Sequence, residues 1–431
     1  MISTLAQELN TQLETAIAGR MLSGLGQRLF FPKGIIAQSA EAKKFGKKVN
    51  ATIGTAVENG KPVILPSIAK ELPFLTSAEA VGYAPTAGSE ELRKLWKQKM
   101  DEKNPTLAGK GCSLPVVTAG LTAGISCLCD LFLGEGDVLL TADPCWDNYA
   151  LIVETRNNAV LKQFPLFTET GIDMESLRTA VEEQAKSGKV RILLNFPQNP
   201  TGYSPTKDEA VAICSLVRET AEKGADVMVW VDDAYFGLDY EENIEKESLF
   251  AFLADIHERV LAVKIDGPTK EDYVWGFRTG FLTFAGKGMT EQHYTALNQK
   301  LMGAIRSSIS CASTPTQSIL VKSWSESGNE GEKTVFRQML EERYRAVRKC
   351  VSEKKGHPAL APLPFNSGNF MTLGCTGVNA EELRQKLLHE YGIGTIAIDE
   401  SHLRVAYSSV DIGSIPETFD AIYEAAEQLT R

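Results

Sequence analysis

Short apolar runs alternate with amphipathic segments along most of this 431-residue chain. The apolar runs are rich in valine, isoleucine and leucine, and the segments between them repeat apolar residues at helical spacing. Strands without polar alternation are buried on both faces, and helices between them connect neighbours in parallel. The pattern therefore predicts a mostly parallel seven-stranded sheet, with strands near residues 116–118, 137–141, 160–164, 190–195, 227–232, 260–265 and 280–284.

The pattern of polar and apolar residues changes after about residue 325, where a polar segment precedes a long charged helix predicted at 334–354. Short strands near 370–373, 394–398 and 403–407 and helices at 379–391 and 415–430 follow. The predicted fold class is α/β, a large three-layer domain with a mostly parallel seven-stranded sheet plus a smaller α+β domain. The expected boundaries are 1–50 for an N-terminal helical arm and part of the small domain, 51–325 for the large domain and 326–431 for the small C-terminal domain.

Composition narrows the choice of partners. With 43% hydrophobic and 23% charged residues the chain resembles an ordinary globular protein, and its net charge of −10 disfavours nucleic acid or an anionic membrane as partner. The most apolar long window, 114–133, contains threonine, serine and aspartate and is a poor membrane span. The start has no apolar targeting segment, and the eight cysteines form no CxxC pair, so we expect a cytoplasmic protein with reduced thiols. The five histidines lack HxxxH spacing, so no metal site is expected.

Parallel sheets bind ligands in the loops beyond the carboxyl ends of their strands. Gly120, Leu121 and Thr122 open a helix after one strand, and could cradle a phosphate or form only a helix cap. Trp146 follows another strand and could stack on a flat ring or fill the core. Asp232 ends a fully apolar strand, where a carboxylate is costly unless a cation meets it or it caps a helix.

A lysine in one such loop is a candidate nucleophile. Lys270 follows the predicted strand 260–265 after a Gly267–Pro268 break, and Arg278 stands eight residues further on. Desolvation between two buried strands would favour the neutral amine, although an isolated loop lysine is more often a solvated surface charge. Lys264, inside the strand, is the rival lysine, and the eight-residue step to Arg278 favours Lys270.

Taken in order, these residues resemble the class I/II aminotransferases, which are pyridoxal-phosphate enzymes of fold type I similar to aspartate aminotransferase. The resemblance runs from about residue 50 to 410. It is carried by Tyr83, Gly120-Leu121-Thr122, Trp146, Asn199-Pro-Thr-Gly202, Asp232 with Tyr235, Lys270 with Arg278, and Arg404. Each motif alone is weak, but seven in register are specific.

The resemblance implies a role for each residue around the ring of the cofactor, pyridoxal 5'-phosphate. Lys270 would form the internal aldimine and later move the substrate's α-proton. Asp232 would pair with the pyridine nitrogen and keep it protonated. Tyr235 and Asn199 would hydrogen-bond the phenolic oxygen, and Trp146 would stack on the ring.

The resemblance also implies the phosphate site. Arg278, Thr122 and the backbone of Gly120 and Leu121 would hold the phosphate. Tyr83 would reach the same phosphate from a second subunit, which implies a homodimer with shared active sites. Many family members have a serine three residues before the lysine as a further phosphate ligand, and this chain has Gly267 there.

For the substrate, the resemblance implies a carboxylate site. Arg404 would clamp the α-carboxylate with a bidentate fork, Gly54 would approach it through its backbone, and Asn199 and Trp146 would complete the site. The substrate side chain is not identified. Arg306 is the candidate for binding a second carboxylate, although its position favours a surface helix.

Three functions fit this pattern. The leading interpretation is an aminotransferase that moves an amino group from an L-α-amino acid to a 2-oxo acid by a ping-pong mechanism. The alternative is a β-eliminating lyase of the same fold, which would use the same cofactor machinery. A non-catalytic regulatory sensor of the cofactor is disfavoured, because fewer than 50 residues precede the matching part and the chain is acidic.

Overall fold

The computed structural model describes residues 35–430 except residues 53, 60, 72–73 and 327–328, and near the start of the chain it describes residues 4, 7–8 and 11. The predicted N-terminal helical arm therefore lies mostly outside the described residues. Its described part is the helix Ile35–Phe45.

The described strands, in chain order, are β1 (Val49–Asn50), β2 (Val57–Glu58), β3 (Lys61–Pro62), β4 (Val116–Thr118), β5 (Val138–Asp143), β6 (Val160–Pro165), β7 (Lys189–Asn195), β8 (Asp226–Asp232), β9 (Val260–Asp266), β10 (Gly280–Ala285), β11 (Leu360–Pro362), β12 (Met371–Cys375), β13 (Ile393–Gly394), β14 (Ile396–Ala397) and β15 (His402–Val405). Seven of them form one sheet in the order β4-β10-β9-β8-β7-β5-β6. β10 runs antiparallel to both of its neighbours, β4 and β9, and the other neighbouring strands of this sheet are parallel to each other. This confirms the predicted mostly parallel seven-stranded sheet, with strand ends within two residues of expectation.

The described α-helices span Ile35–Phe45, Pro66–Glu71, Ser77–Val81, Glu90–Lys103, Leu121–Phe132, Asn148–Ala150, Met174–Ala185, Lys207–Glu222, Leu249–Leu253, Pro268–Glu271, Glu291–Ser308, Thr314–Ser325, Asn329–Glu353, Ala380–Lys386 and Ile415–Leu429. π-helical turns continue two of them, at Leu151–Arg156 and Leu387–Tyr391. Among the described residues no helix has both the length and the apolar character needed to cross a bilayer.

The large sheet is covered on both faces, as its apolar strands require. Successive side chains of a strand point to opposite faces. Val229 and Val231 of β8 belong to one hydrophobic core, while Trp230 between them belongs to another. The first core includes helices Met174–Ala185 and Lys207–Glu222, and the second includes Leu121–Phe132 and Glu291–Ser308. By the same alternation, Asp232 projects on the face of Trp230.

A second sheet of four antiparallel strands, in the order β11-β12-β15-β14, forms the smaller α+β part with helices Asn329–Glu353 and Ile415–Leu429. Helix Ile35–Phe45 and β1 join this part, because the helix contacts β13 and β1 pairs with β13 in parallel. The domain boundaries near residues 50 and 325 stay a prediction.

Two details of the smaller sheet differ from expectation. The strand predicted at 394–398 is divided at Thr395, because β13 pairs with β1 whereas β14 pairs with β15. β11 was not predicted. It contains Pro362 and lies at the sheet edge, which is where a strand tolerates proline.

Candidate active site

The carboxyl ends of β7, β8 and β9 meet at one edge of the large sheet. Asn195 at the end of β7 lies beside Asp232, and Asp232 lies beside Ile265 of β9. A cavity of about 220 Å³ lies at this edge. It is lined by Leu121, Thr122, Trp146, Tyr149, Asn195, Asn199, Asp232, Ala234, Tyr235, Thr269, Lys270, Trp275 and Arg278. Eight residues predicted from the sequence therefore line one cavity.

Lys270 lies on the one-turn helix Pro268–Glu271, directly after β9. Its Nζ lies 4.6 Å from the ring centroid of Tyr235. Burial lowers the pKa of Lys270 to about 8, opposed by the nearby Asp232 carboxylate and reinforced by the positive charge of Arg278. A substantial fraction of this amine is therefore neutral near pH 8, as a nucleophile requires.

Lys264 has the opposite surroundings. It is 1% exposed and forms ion pairs with Asp233 and, at 3.5 Å, with Asp266. Burial opposes its charge, but the two carboxylates prevail and raise the pKa of Lys264. Lys264 projects with Ala262 to the face opposite Asp232, so it points away from the cavity. This lysine is a structural cation.

Asp232 is a buried carboxylate that accepts hydrogen bonds from two donors. The Tyr149 hydroxyl donates to Oδ2 at 2.6 Å, and the backbone N–H of Ala234 donates to Oδ1 at 3.1 Å. Burial raises the pKa of Asp232 to about 6, although Tyr149 and Lys270 act to lower it. A cationic group inside the cavity would stabilise the charged form further.

Gly120 and Arg278 form one wall at the N-terminus of helix Leu121–Phe132. Gly120 has φ of +83° and is the N-cap, with no side chain to occupy the first N–H groups. A Cβ at Gly120 would overlap the Nη2 atom of Arg278. The Arg278 guanidinium is thus held against the open helix start, and its Nη1 donates to the Trp275 carbonyl at 3.2 Å. Helix N-terminus and guanidinium together suit a phosphate.

Arg404 and Asn199 extend the site toward the smaller sheet. Arg404 is buried; its Nη1 donates to Asn199 Oδ1 at 3.0 Å and its Nη2 donates to the Thr52 carbonyl at 2.8 Å. Its Nε is buried and has no partner among the described residues. Burial lowers the pKa of Arg404 to about 10, opposed by Tyr235 and Asp147. Because Asn199 accepts through its oxygen, its NH₂ group is left to donate.

Phe370 connects this arginine to two predicted residues. Its ring centroid lies 4.4 Å from the Arg404 guanidinium carbon, and the ring packs edge-on against Tyr235 at 5.4 Å. Gly54 abuts the same ring so closely that a Cβ there would overlap it. Gly54 also accepts a hydrogen bond through its carbonyl from Asn369 Nδ2 at 2.8 Å. Gly54 and Arg404 therefore contact the same aromatic ring, and their roles in substrate binding stay a prediction.

Steric crowding explains why residue 267 is glycine, at the position where many members of the resembled family have serine. A Cβ at Gly267 would lie 2.8 Å from the Thr279 carbonyl oxygen and 3.0 Å from the Gly280 Cα. Two backbone segments approach too closely here for any side chain. The phosphate ligand that a serine would supply is therefore excluded by the packing of β9 against β10.

Two candidates lie away from the cavity. Tyr83 is 94% exposed and does not line the cavity of its own chain, which leaves its predicted contact with a second subunit untested. Arg306 is exposed near the end of helix Glu291–Ser308 and donates to Ser310 Oγ. It lines no part of this cavity.

Sequence reasoning missed Tyr149, Thr52 and Phe370. Tyr149 stands three residues after Trp146, and its ring meets that indole edge-on at 5.3 Å, so helical spacing could have indicated it. No local pattern marks Thr52 or Phe370, because their roles arise from contacts with the distant Arg404.

Comparison with known proteins agrees with this geometry. The family described as aminotransferase class I and II matches residues 47–422. The chain belongs to this family. Its members use pyridoxal phosphate as cofactor.

Individual relatives are distant in sequence. A tyrosine aminotransferase of Dictyostelium discoideum is 25% identical over 260 residues, which are 58% of each chain. The chain thus matches little more than half the length of this curated relative. An aminotransferase structure from Anaerococcus prevotii has a TM-score of 0.84 at 22% identity, covering 94% of this chain and 98% of the other. The structure of a kynurenine aminotransferase from Pyrococcus horikoshii in complex with PMP has a TM-score of 0.78 at 17% identity. The match covers 97% of this chain and 100% of the other.

The residues present fit the family's cofactor. The wall of Gly120 and Arg278 suits its phosphate, the Asp232 carboxylate suits its protonated pyridine nitrogen, and the Lys270 amine suits its carbonyl carbon. The ring would lie in the cavity that Trp146 lines. No group in this set conflicts with the cofactor.

Proposed function

We propose that this protein is a pyridoxal-phosphate-dependent aminotransferase, a transferase of amino groups in amino acid metabolism. It would move an amino group from an L-α-amino acid to a 2-oxo acid by a ping-pong mechanism. The observation that carries the proposal is Lys270, a lysine with its pKa lowered to about 8. It lines a cavity together with a buried carboxylate, Arg278 and the start of helix Leu121–Phe132.

When bound, pyridoxal phosphate supplies a delocalised ring that accepts electrons from the substrate's α-carbon. Asp232, held by Tyr149 and Ala234, would keep a proton on the pyridine nitrogen. Lys270 would attach the cofactor covalently and, once released, carry a proton to and from the α-carbon. Its pKa near 8 suits both directions of transfer.

The remaining residues would bind and orient. Tyr235 and the free NH₂ group of Asn199 would donate hydrogen bonds to the phenolic oxygen. Arg404 would clamp the substrate α-carboxylate, and its unpartnered Nε offers one donor for it. Phe370 keeps the guanidinium in place by stacking on it. Asn199 and Thr52 accept hydrogen bonds from the two terminal nitrogens of Arg404, so the guanidinium would be oriented before the substrate binds.

The assembly and location are also part of the proposal. A homodimer with shared sites is supported by the exposure of Tyr83, a residue the family brings into the neighbouring site. Small-molecule amino acids and 2-oxo acids are the proposed substrates. A cytoplasmic location is proposed from the eight cysteines, all of which are free thiols.

Borohydride reduction followed by peptide mapping tests the nucleophile. Purified protein loaded with pyridoxal phosphate should carry the reduced cofactor on Lys270. Lys270→Ala should abolish amino transfer but still bind the cofactor, because Arg278 and the helix start at Gly120 would continue to hold its phosphate. Label on Lys264, or on no lysine, would overturn the assignment.

Dependence on a 2-oxo acid tests the reaction. Release of 2-oxo acid from an amino donor should require an added acceptor such as 2-oxoglutarate, and the cofactor should change its absorbance with donor alone. Steady turnover of a sulfur amino acid without any acceptor would instead identify β-elimination. A panel of amino donors in the same assay would identify the substrate side chain.

A further inference from the structure

A second and larger cavity lies at the opposite edge of the large sheet. It has a volume of about 630 Å³ and shares no lining residue with the cavity at Lys270. Its walls are the N-terminal ends of β7, β8 and β9, the turn that follows β10, and the first part of helix Glu291–Ser308. We call it the basal groove. On β8, Met228 of this groove and Asp232 of the active site lie four residues apart, a distance of about 13 Å along the strand.

The floor of the basal groove is apolar. Phe132, Met228, Leu261, Met289 and Leu297 line it, and each is only partly buried although it packs against a hydrophobic core. Helix Glu291–Ser308 therefore leaves part of the sheet face uncovered. A volume of this size lies in the range of pockets that hold small organic ligands, roughly 300–1,000 Å³.

The rim of the basal groove is cationic. Lys189, Lys287 and Lys300 line it, and their ammonium groups have no hydrogen-bond or ion-pair partner within the described part of the chain. Glu258 is the one lining carboxylate without a partner there, since Asp226 pairs with Arg259 at 2.7 Å. The other rim arginine, Arg191, is held by Asp137 at 3.1 Å. Three free lysines against one free carboxylate make a local positive potential on a chain of net charge −10.

From this floor and rim we propose that the basal groove binds an amphipathic carboxylate, with its apolar body against Met228, Leu261 and Leu297 and its carboxylate at the lysines. An apolar floor binds a hydrocarbon chain or ring, and flexible ammonium groups attract an anion as point charges. The groove is separate from Lys270 and Arg404, so this binding is independent of the proposed reaction. Ligand here and substrate at the active site can be bound together.

Calorimetric titration of the cofactor-loaded protein with octanoate tests the proposal. Octanoate should bind saturably, while octanol should bind at least tenfold more weakly and octylamine should not bind. Raising the salt concentration should weaken octanoate binding, because the rim lysines are exposed. Equal affinity for octanol and octanoate would overturn the role of the lysines.

Matched variants locate the binding. Ala296 is exposed on the groove side of the helix, so Ala296→Trp should fill the groove and weaken octanoate at least tenfold. Thr295→Trp, exposed on the other side of the same helix, should leave binding unchanged. The triple variant Lys189→Ala, Lys287→Ala, Lys300→Ala should also weaken octanoate at least tenfold without changing octanol.

The active-site arginine supplies the remaining control, because a carboxylate could also bind there. Octanoate binding should persist in Arg404→Ala. Binding that is lost in Arg404→Ala but unaffected by Ala296→Trp and by the triple lysine variant would overturn the proposal. So would the absence of any saturable binding to the full chain, which would indicate that another part of the chain or a second copy covers the groove.

Discussion

Lys270 and Lys264 lie six residues apart and show how neighbouring charges decide the state of a desolvated amine. Burial opposes the charge of both. Two carboxylates hold Lys264, and its pKa rises. Lys270 faces one carboxylate, which Tyr149 also engages, and the positive Arg278, and its pKa falls to about 8. The residue with the lower pKa is the one that can attack a carbonyl carbon.

This difference predicts a pH dependence for cofactor attachment. Because the pKa of Lys270 is lowered from 10.5 to about 8, its neutral form increases as pH rises through 8. The rate of attachment after mixing cofactor-free protein with pyridoxal phosphate should therefore rise with a midpoint near pH 8 and then level off. Stopped-flow absorbance measures it. Asp232→Asn removes a charge that raises this pKa, so the midpoint should move to lower pH. A rate that still climbs above pH 10 in the parent protein would contradict this.

Asp232 and Arg404 should affect different kinetic constants. Asp232 is desolvated, and removing one member of a buried charge pair costs about 3–5 kcal/mol. Asp232→Ala should therefore lower kcat roughly a hundredfold or more with every substrate, because the ring accepts electrons in the chemical step. Arg404→Ala should cost about 2–5 kcal/mol, mainly as a higher KM, because the substrate carboxylate is bound in both ground and transition states.

Steady-state kinetics on both variants makes the comparison, with cofactor affinity measured alongside. Affinity for pyridoxal phosphate should barely change in Arg404→Ala. An unchanged KM for every amino acid tested would mean that Arg404 does not bind the substrate carboxylate, and the proposal of an α-amino acid substrate would lose its main support.

At the scale of elements, the site depends on where strands end and one helix begins. Gly120, with a φ of +83°, connects β4 to helix Leu121–Phe132, and it leaves room for Arg278 beside the first N–H groups. Gly120→Ala should weaken pyridoxal phosphate binding at least tenfold, because the methyl group displaces the guanidinium from the helix start. Equilibrium dialysis measures the affinity.

Gly136→Ala is the matched control. Gly136 also has a positive φ, +78°, but its added Cβ would meet no atom within 4 Å. Both variants should lose stability, because alanine is strained at a positive φ. Only Gly120→Ala should lose cofactor affinity. An equal loss in both would assign the effect to backbone strain alone.

Elements defined by their own sequence were predictable. The apolar run of β8 predicted a strand, because a strand buried on both faces has no polar alternation. Asp232 was recognisable as a candidate site residue because it ends that run with a carboxylate. The division at Thr395 was not predictable, since β13 and β14 pair with strands from opposite ends of the chain. Strand pairing of this kind depends on tertiary contacts that a local pattern does not contain.

At the scale of the whole molecule, the substrate end of the site is assembled from distant segments. Arg404 of β15 donates to Thr52 and to Asn199, and Phe370 joins it to Gly54. The resemblance to a family supplied Arg404, Asn199 and Gly54. It supplied neither Thr52 nor Phe370, whose contribution is packing and a backbone carbonyl, and such contributions leave no motif.

The exposed segment around Tyr83 leads to the last prediction. Tyr83, Val81 and Phe74 are 94%, 83% and 67% exposed, an unusual grouping of large apolar side chains on one short stretch. We therefore expect this stretch to be covered in a homodimer, with Tyr83 donating to the phosphate in the partner's site. Loss of a hydrogen bond to a charged group costs about 1.5–3 kcal/mol, so Tyr83→Ala should bind pyridoxal phosphate at least tenfold more weakly.

Mixed dimers decide whether Tyr83 acts across the interface. In a dimer of one Lys270→Ala chain and one Tyr83→Ala chain, an interface-crossing tyrosine gives one site with both substitutions and one site with neither. Such a dimer should recover about half the parent activity at limiting pyridoxal phosphate, although each variant alone is impaired. If Tyr83 served its own chain, every mixed site would carry one substitution and no activity would be regained. Sedimentation of the parent protein at nanomolar concentration completes the test, because a fully active monomer would exclude a shared site.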